Sequence, residues 1–148
     1  MADQFTAKKR SEIMRAVRSS DTKPEMVVRR LVHSLGYRYR LHRRSLPGTP
    51  DLVFPRLRKV IFVHGCFWHR HSCRNGRSMP SSRASYWQSK LERNKIRDRK
   101  NRQALRRAKW EVLVLWECQL RNHEKLEARV IQFLASPSRF QPRKRARA

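Results

Sequence analysis

Residues 59–73 read KVIFVHGCFWHRHSC, in which an apolar run is followed by a dense group of cysteine, histidine and aromatic residues. The run KVIFV is typical of a strand that is buried on both faces. A glycine soon follows, and two cysteines, two histidines, a phenylalanine and a tryptophan then share the eight positions 66–73. The stretch therefore predicts a strand that delivers metal ligands and aromatic rings to one end of a sheet.

Further strands and helices lie on both sides of this stretch. DLVF at 51–54 and EVLVLWE at 111–117 are also typical of buried strands. YRYRL at 37–41 has the alternation of a strand with one solvent-exposed face. Helical patterns follow DTKPE at 21–25 and cover 87–109 and 123–135. Strands that alternate with helices predict an α/β fold, in which a central mixed β-sheet is flanked by helices on both faces.

The length of 148 residues suits one domain. We place that domain at residues 1–137, beginning with a polar arm at 1–10 and a short helix in RSEIMRAVR at 10–18. Residues 138–148 are basic and lack periodicity, so we expect a disordered tail.

The chain is strongly basic, with 37 Lys and Arg against 11 Asp and Glu and a net charge of +26. A compact chain with this excess repels itself, and a polyanion relieves the repulsion. Nucleic acid is the commonest polyanion, and an acidic membrane surface is the rival. The sequence contains no apolar run of about 18 residues and no signal-peptide core, so we expect no membrane span and a cytoplasmic location.

Metal ligands are concentrated after the central strand. Three cysteines without a secretion signal favour metal binding or free thiols over disulfides. If the strand at 111–117 pairs beside KVIFV, Cys118 can join Cys66, Cys73 and one histidine in a structural zinc site without an open position. The spacing leaves open whether His69 or His71 is the nitrogen ligand. The alternative is that the cysteines are buried thiols and the histidines lie on the surface.

Carboxylates and histidines are placed where they can form a second site. Asp51 stands at the mouth of a strand, where a hard cation such as Mg²⁺ can be held. His64 and His69 lie at and beyond the end of the next strand, which can run back beside Asp51. Glu25 adds a carboxylate from a helix. The alternatives are that Asp51 only closes the SLPGTP turn and that Glu25 only completes a capping box with Thr22.

LPGTPDLVF followed by VIFVHGCFWHRHSC resembles the very short patch repair endonucleases, the Vsr family. The resemblance covers about residues 9–135, and it includes RSEIMRA, DTKPE, SYWQSKLERNKIRDRKN and WEVLVLWEC in the order of the family. It implies a fold akin to type II restriction endonucleases. It also implies a Mg²⁺-dependent endonuclease that nicks one DNA strand 5′ of the thymine in T:G mismatches, which arise when 5-methylcytosine is deaminated.

The same resemblance implies roles for individual residues. Asp51 would bind Mg²⁺ together with the main-chain carbonyl of Val63, and His64 would contact the phosphate. His69 would be the general base, assisted by Glu25 through water, in place of the lysine that restriction enzymes carry where this chain reads VHG. The structural zinc ligands would be Cys66, His71, Cys73 and Cys118. The aromatic wedge into the base stack would be Phe67, Trp68 and Trp87, with Met14 as a further candidate.

The expected partner is double-stranded DNA with a T:G mismatch, and mismatch-repair proteins are further candidates. We expect a monomer that acts at the bacterial nucleoid. One rival is a dimeric type II restriction enzyme that cuts both strands. Another is a non-catalytic zinc protein that binds nucleic acid, in which Asp51 is structural. For Phe67 and Trp68, the alternative to a wedge is packing in the core.

Overall fold

The computed structural model describes residues 22–138. The predicted arm, the helix at 10–18 with Met14, and residues 139–148 of the tail lie outside the described residues. In chain order the elements are α1 (Lys23–Ser34), β1 (Arg40–Leu41), β2 (Leu52–Phe54), β3 (Lys59–His64), α2 (Arg74–Arg77), α3 (Ala84–Arg107), β4 (Glu111–Trp116), a 3₁₀ turn (Glu117–Arg121) and α4 (His123–Ala135).

The four strands form one mixed sheet in the order β1-β2-β3-β4. β1 pairs with β2, and β2 with β3, in antiparallel fashion, whereas β3 and β4 are parallel. The β3–β4 register runs from Lys59 opposite Glu111 to His64 opposite Trp116. The segments that follow β3 and β4 therefore leave the sheet side by side, which brings Cys118 toward Cys66.

Successive side chains of a strand point to opposite faces, and both faces of this sheet are covered. One face packs against α1 and α4, and the other packs against α3, which confirms the predicted mixed sheet with helices on both faces. The first core contains Val28, Val32, Leu52, Phe54, Ile61, Leu113, Leu115, Leu120, Leu126, Val130 and Leu134. The second contains Val53, Val60, Phe62, Leu105 and Trp110.

Three predicted elements differ from the structure. Of the predicted strand YRYRL, only Arg40–Leu41 pairs, because β1 is a two-residue edge strand and the tyrosines before it turn toward the core. The rings of Tyr37 and Tyr39 lie 6.5 and 6.3 Å from the ring of Phe54. The basic helix begins at Ala84 instead of 87 and ends at Arg107, and the stretch predicted as irregular includes the short α2. No helix within residues 22–138 is long and apolar enough to cross a bilayer.

Lys59 opens β3 and is fully buried. Its Nζ donates to the main-chain oxygens of Phe133 and Ser136, both at 2.5 Å, and lies 3.8 Å from Oε2 of Glu111. Burial lowers the pKa of this ammonium group, and Glu111 opposes the shift. Because the last carbonyls of a helix have no partner within the helix, Lys59 acts as a cap that ties the C-terminus of α4 to the central strand.

Candidate active site and metal centre

A groove of about 1270 Å³ collects most of the predicted catalytic residues. Its walls are the N-terminus of α1, the turn before β2, the end of β3 and one side of α3. The lining includes Glu25, Asp51, Val63, His64 and His69, with Trp68 at one side. The basic helix α3 contributes Lys90, Asn94, Arg97, Asp98 and Asn101.

A carboxylate cluster forms where α1, β1 and β2 meet. Oδ2 of Asp51 accepts the main-chain N–H of Val63 at 2.7 Å. The buried Glu25 carboxylate lies 2.7 Å from Nε2 of His42 and accepts from Arg29 at 3.3 Å. Nε2 of His42 is 3.9 Å from Oδ1 of Asp51. Glu25, His42 and Asp51 each offer one ligand atom, and these three atoms lie within 4.8 Å of one another. The three residues could therefore hold a metal ion.

The electrostatics of this cluster favour a cation. Burial raises the pKa of Asp51 to about 7, the Val63 N–H opposes the shift, and the neighbouring Glu25 carboxyl adds to it. Two carboxylates at close range resist simultaneous ionisation unless a positive charge joins them. The predicted helix cap is confirmed, since Oγ1 of Thr22 accepts the N–H of Glu25 at 3.4 Å. The carboxylate of Glu25, however, faces the groove.

A second cluster joins two histidines and an aspartate. The rings of His64 and His69 are stacked, with centroids 3.8 Å apart and planes 6° apart. Nδ1 of His69 lies 2.5 Å from Oδ2 of Asp98, which comes from the middle of α3. Because an ionised carboxylate can only accept, Nδ1 carries the proton and Nε2 of a neutral His69 is left with its lone pair. That is the tautomer a general base needs.

His64 is buried beneath His69. Burial lowers the pKa of His64 to about 3, and the charges of His69 and Arg102 add to that effect while Asp98 opposes it. Its Nδ1 has no hydrogen-bond partner among residues 22–138. His64 is therefore a neutral imidazole at physiological pH, so any contact with a phosphate would use an N–H group and not a full charge.

A third cluster contains Cys66, His71, Cys73 and Cys118, whose ligand atoms lie within 4.8 Å of one another. Sγ of Cys118 is 3.5 Å from Nδ1 of His71, and the main-chain N–H of Cys118 donates to Sγ of Cys66 at 3.4 Å. His69 belongs to the second cluster, so the structure separates the two histidines that the spacing left open.

The local environment of the thiols suits a metal ion. The N–H of Gly76 and the side chain of His71 lower the pKa of Cys73 to about 6, whereas burial raises the pKa of Cys66 to about 12. A bound cation would deprotonate both thiols. Gly76 is required because a Cβ there would lie 1.9 Å from the main-chain oxygen of His71. The absence of that Cβ lets α2 close over the loop that carries the ligands.

The aromatic residues of the predicted wedge form one cluster beside the groove. The ring of Phe67 lies 5.1 Å from Trp68 and 5.9 Å from Trp87, and the two tryptophans are 5.8 Å apart. All three side chains are half-buried, and neither core of the described residues contains them. Nζ of Lys90 lies over both tryptophan rings, at 5.9 and 5.8 Å. The rings thus pack mainly on one another, next to a positive charge.

Two residues of the groove, His42 and Asp98, were not identified from the sequence. Asp98 did carry a signal, because it is the only acidic residue between Glu92 and Glu111 in a strongly basic stretch. An isolated carboxylate there is expected to have a specific partner. No pattern marks His42, whose importance appears only when β1 brings it between Glu25 and Asp51.

The chain matches a known protein family and several named proteins in sequence. The family model described as "DNA mismatch endonuclease Vsr" matches residues 2–75. "Type II nicking enzyme V.XorIIP" of Xanthomonas oryzae pv. oryzae is 51% identical over 134 residues, which cover 90% of this chain and 98% of that protein. "DNA mismatch endonuclease Vsr" of Escherichia coli K12 is 42% identical over 126 residues, or 85% and 80% of the two chains.

A third relative, "Type II nicking enzyme V.NmeAIP" of Neisseria meningitidis serogroup A, is 42% identical over 122 residues, covering 82% of this chain and 86% of that one. These relatives are named as DNA mismatch endonuclease and as nicking enzymes, and they place the chain in a class of DNA endonucleases. Within that class, the chain belongs to the Vsr family.

Proposed function

We propose that this protein is a Mg²⁺-dependent endonuclease that nicks one DNA strand 5′ of the thymine in T:G mismatches created by deamination of 5-methylcytosine. The observation that carries the proposal is one groove holding both the Glu25–Asp51 carboxylates and the His69–Asp98 pair. Relatives named as a mismatch endonuclease and as nicking enzymes support it. The mixed sheet flanked by helices is consistent with a fold like that of type II restriction endonucleases.

Each of the main residues of the groove has a separate role in the proposed hydrolysis. Mg²⁺, held by Asp51 and the main-chain carbonyl of Val63, would supply charge stabilisation for the reacting phosphate. Nε2 of His69 takes the proton of the attacking water, and the carboxylate of Asp98 stabilises the imidazolium that results. Glu25 accepts hydrogen bonds from water beside Asp51. The N–H of the neutral His64 contacts a phosphate oxygen.

Cys66, His71, Cys73 and Cys118 are proposed to hold a structural Zn²⁺. Three thiolates and one imidazole fill a tetrahedral shell and leave no position for water. The ion would join the loop after β3 to the 3₁₀ turn after β4. The loop after β3 has few buried apolar side chains to hold it in place. The ion would thereby support Phe67 and Trp68 beside the groove.

The aromatic cluster is proposed to enter the base stack at the mismatch. Opening a base step costs a few kcal/mol, and less at a mismatch that already stacks poorly. Phe67, Trp68 and Trp87 would replace part of the lost stacking. α3 and the turn after it carry ten Lys or Arg between Lys90 and Lys109, which would contact phosphates and set the register without reading sequence.

We further propose that the protein acts as a monomer on double-stranded DNA at the bacterial nucleoid, where mismatch-repair proteins are candidate partners. A monomer has one groove and therefore cuts one strand. A type II restriction enzyme would instead cut both strands as a dimer.

The decisive experiment is single-turnover nicking of a labelled T:G duplex and a matched T:A duplex in Mg²⁺. The wild type should nick only the T:G duplex, on the thymine strand, and chelation of Mg²⁺ should stop the reaction. Asp51→Ala should abolish nicking while zinc content and mismatch binding persist, because the carboxylate acts mainly in the transition state. Glu127→Gln, an exposed change on α4, is the matched control. Near-normal nicking by Asp51→Ala would leave the non-catalytic alternative, and cleavage of both strands would leave the restriction enzyme.

The wedge is tested by binding. Trp68→Ala should remove most of the preference for T:G over T:A, since stacking is worth about 1–3 kcal/mol per base. It should leave the salt dependence of binding unchanged because no charge is lost. Lys90→Ala should instead reduce the log–log salt slope by about 0.9 if the lysine contacts a phosphate. Equal loss of affinity for both duplexes in Trp68→Ala would assign Trp68 to packing.

A further inference from the structure

His42 contacts both residues of the carboxylate cluster, Glu25 and Asp51. Its Nε2 lies 2.7 Å from Oε1 of Glu25 on α1 and 3.9 Å from Oδ1 of Asp51 before β2. Its main-chain N–H also donates to the main-chain oxygen of Asp51 at 3.3 Å. A single residue thus connects the two elements whose relative position sets the distance between the carboxylates.

The backbone of His42 is in a conformation that side chains disfavour. Its φ is 45°, in the left-handed region where a Cβ crowds the main chain. Glycine would adopt this conformation without strain. Five other non-glycine residues of the described chain share this region, so the backbone conformation alone does not assign a role, and the contacts of the His42 ring carry the argument.

The contacts of the His42 ring and of its neighbours indicate its role. Oε2 of Glu25 accepts from Arg29 at 3.3 Å, so with His42 on Oε1 both oxygens of Glu25 are engaged. Oδ2 of Asp51 is fixed by the N–H of Val63, while Oδ1 is the oxygen nearest to His42. The ligand atoms of Glu25 and Asp51 lie within 4.8 Å of one another, where two ionised carboxylates without a donor between them repel each other. Outer partners of this type orient metal ligands and tune the affinity of the site.

We propose that His42 is a positioning residue that holds the Glu25 and Asp51 carboxylates in the arrangement a divalent cation requires. This inference rests on the proposed function, because it takes the cation site at Asp51 as given. His42 acts through the carboxylates by donating from Nε2, and its ring is not itself a ligand.

The test measures Mn²⁺ binding to the zinc-loaded full chain by electron paramagnetic resonance, without DNA. Asp51→Ala defines the binding that occurs elsewhere on the protein. His42→Gly should weaken Mn²⁺ affinity by about 10- to 100-fold, while its melting temperature stays close to that of the wild type because backbone strain is relieved. His42→Gln should retain affinity within about threefold, because its amide places an N–H donor near the position of Nε2. His33→Gln, an exposed change on α1, is the control.

Nicking provides a second readout. His42→Gly should raise the Mg²⁺ concentration for half-maximal rate by about tenfold, with little change in the rate at saturation. Mn²⁺ affinity equal to the wild type in His42→Gly would overturn the inference. Loss in His42→Gln as large as in His42→Gly would also overturn it, since the imidazole would then be a ligand. Equal Mn²⁺ binding by the wild type and Asp51→Ala would instead overturn the cation site of the proposed function.

Discussion

Replacing Asp98 by asparagine should slow nicking more than replacing it by alanine, although asparagine is the closer isostere. Asp98 accepts the Nδ1 proton of His69 at 2.5 Å, and both side chains are mostly shielded from solvent. The amide of asparagine has a donating and an accepting side. Arg102 lies one helical turn after residue 98 on α3 and its guanidinium can only donate, so we expect it to attract the amide oxygen and leave the NH₂ group facing Nδ1. His69 would then carry its proton on Nε2, where the base must be free.

The expected losses follow from the strength of the hydrogen bonds. A bond to a charged acceptor contributes about 1.5–3 kcal/mol, which is roughly 10- to 150-fold in rate when the imidazolium loses it. Alanine should therefore cost about that factor, with both tautomers of His69 still accessible. In Asp98→Asn a neutral bond of about 0.5–1.5 kcal/mol additionally favours the wrong tautomer, a further factor of roughly 2 to 12.

The assay is single-turnover nicking of the T:G duplex at saturating Mg²⁺, with DNA affinity and zinc content measured in parallel. Both Asp98 variants should bind DNA at least as well as the wild type, because a negative charge near the phosphates is gone. Glu92→Gln, an exposed acidic change on the same helix, should have little effect. Faster nicking by Asp98→Asn than by Asp98→Ala, or a rate within threefold of the wild type for either, would refute the assignment of Asp98 as the partner of the base.

Three further predictions concern metal, pH and stability. Cys118→Ser should lose its equivalent of zinc in elemental analysis and melt early, because the binding energy of a structural zinc is folding energy, on the order of 10 kcal/mol. Burial raises the pKa of Asp51 from 3.8 to about 7, so the Mg²⁺-free protein should lose stability as pH rises through that window, and Asp51→Asn should flatten this dependence in thermal melts. Lys59→Met should cost about 2–4 kcal/mol in urea unfolding because the carbonyls at the end of α4 lose their donor, whereas the exposed Lys125→Met should be nearly neutral.

The elements that the sequence predicted well are those with a strong local pattern. The apolar runs at β3 and β4 reflect strands that are covered on both faces, and the periodicity of α4 reflects one helix face packed on the sheet. Each pattern can be recognised within a short segment. The cluster of Cys66, His71, Cys73 and Cys118 was accessible for a related reason. Three of its members lie within eight positions, and the fourth joins them because β4 pairs beside β3, which was the condition set in the sequence analysis.

Local patterns were incomplete where tertiary contacts decide the outcome. YRYRL has the alternation of a strand, yet Tyr37 and Tyr39 gain more by packing on Phe54 than by pairing at a sheet edge. Glu25 has the spacing of a capping-box residue, but its carboxylate lies against His42 and Arg29. In both segments the local interpretation was physically sound, and a partner distant in sequence provided the stronger interaction.

His42 and Asp98 show why part of the candidate site could not be predicted from spacing. His42 is 17 residues from Glu25, and Asp98 is 29 residues from His69, so no local pattern relates either pair. Each of the two residues has an unfavourable feature that a function would explain. A carboxylate within a helix that faces a polyanion weakens DNA binding, and a histidine at φ 45° strains the backbone. Neither feature is expected to improve folding or general DNA affinity, so the proposed reaction is the better explanation of each. In the proposed mechanism, Asp98 lets His69 accept a proton, and in the proposed cation site His42 keeps two carboxylates together.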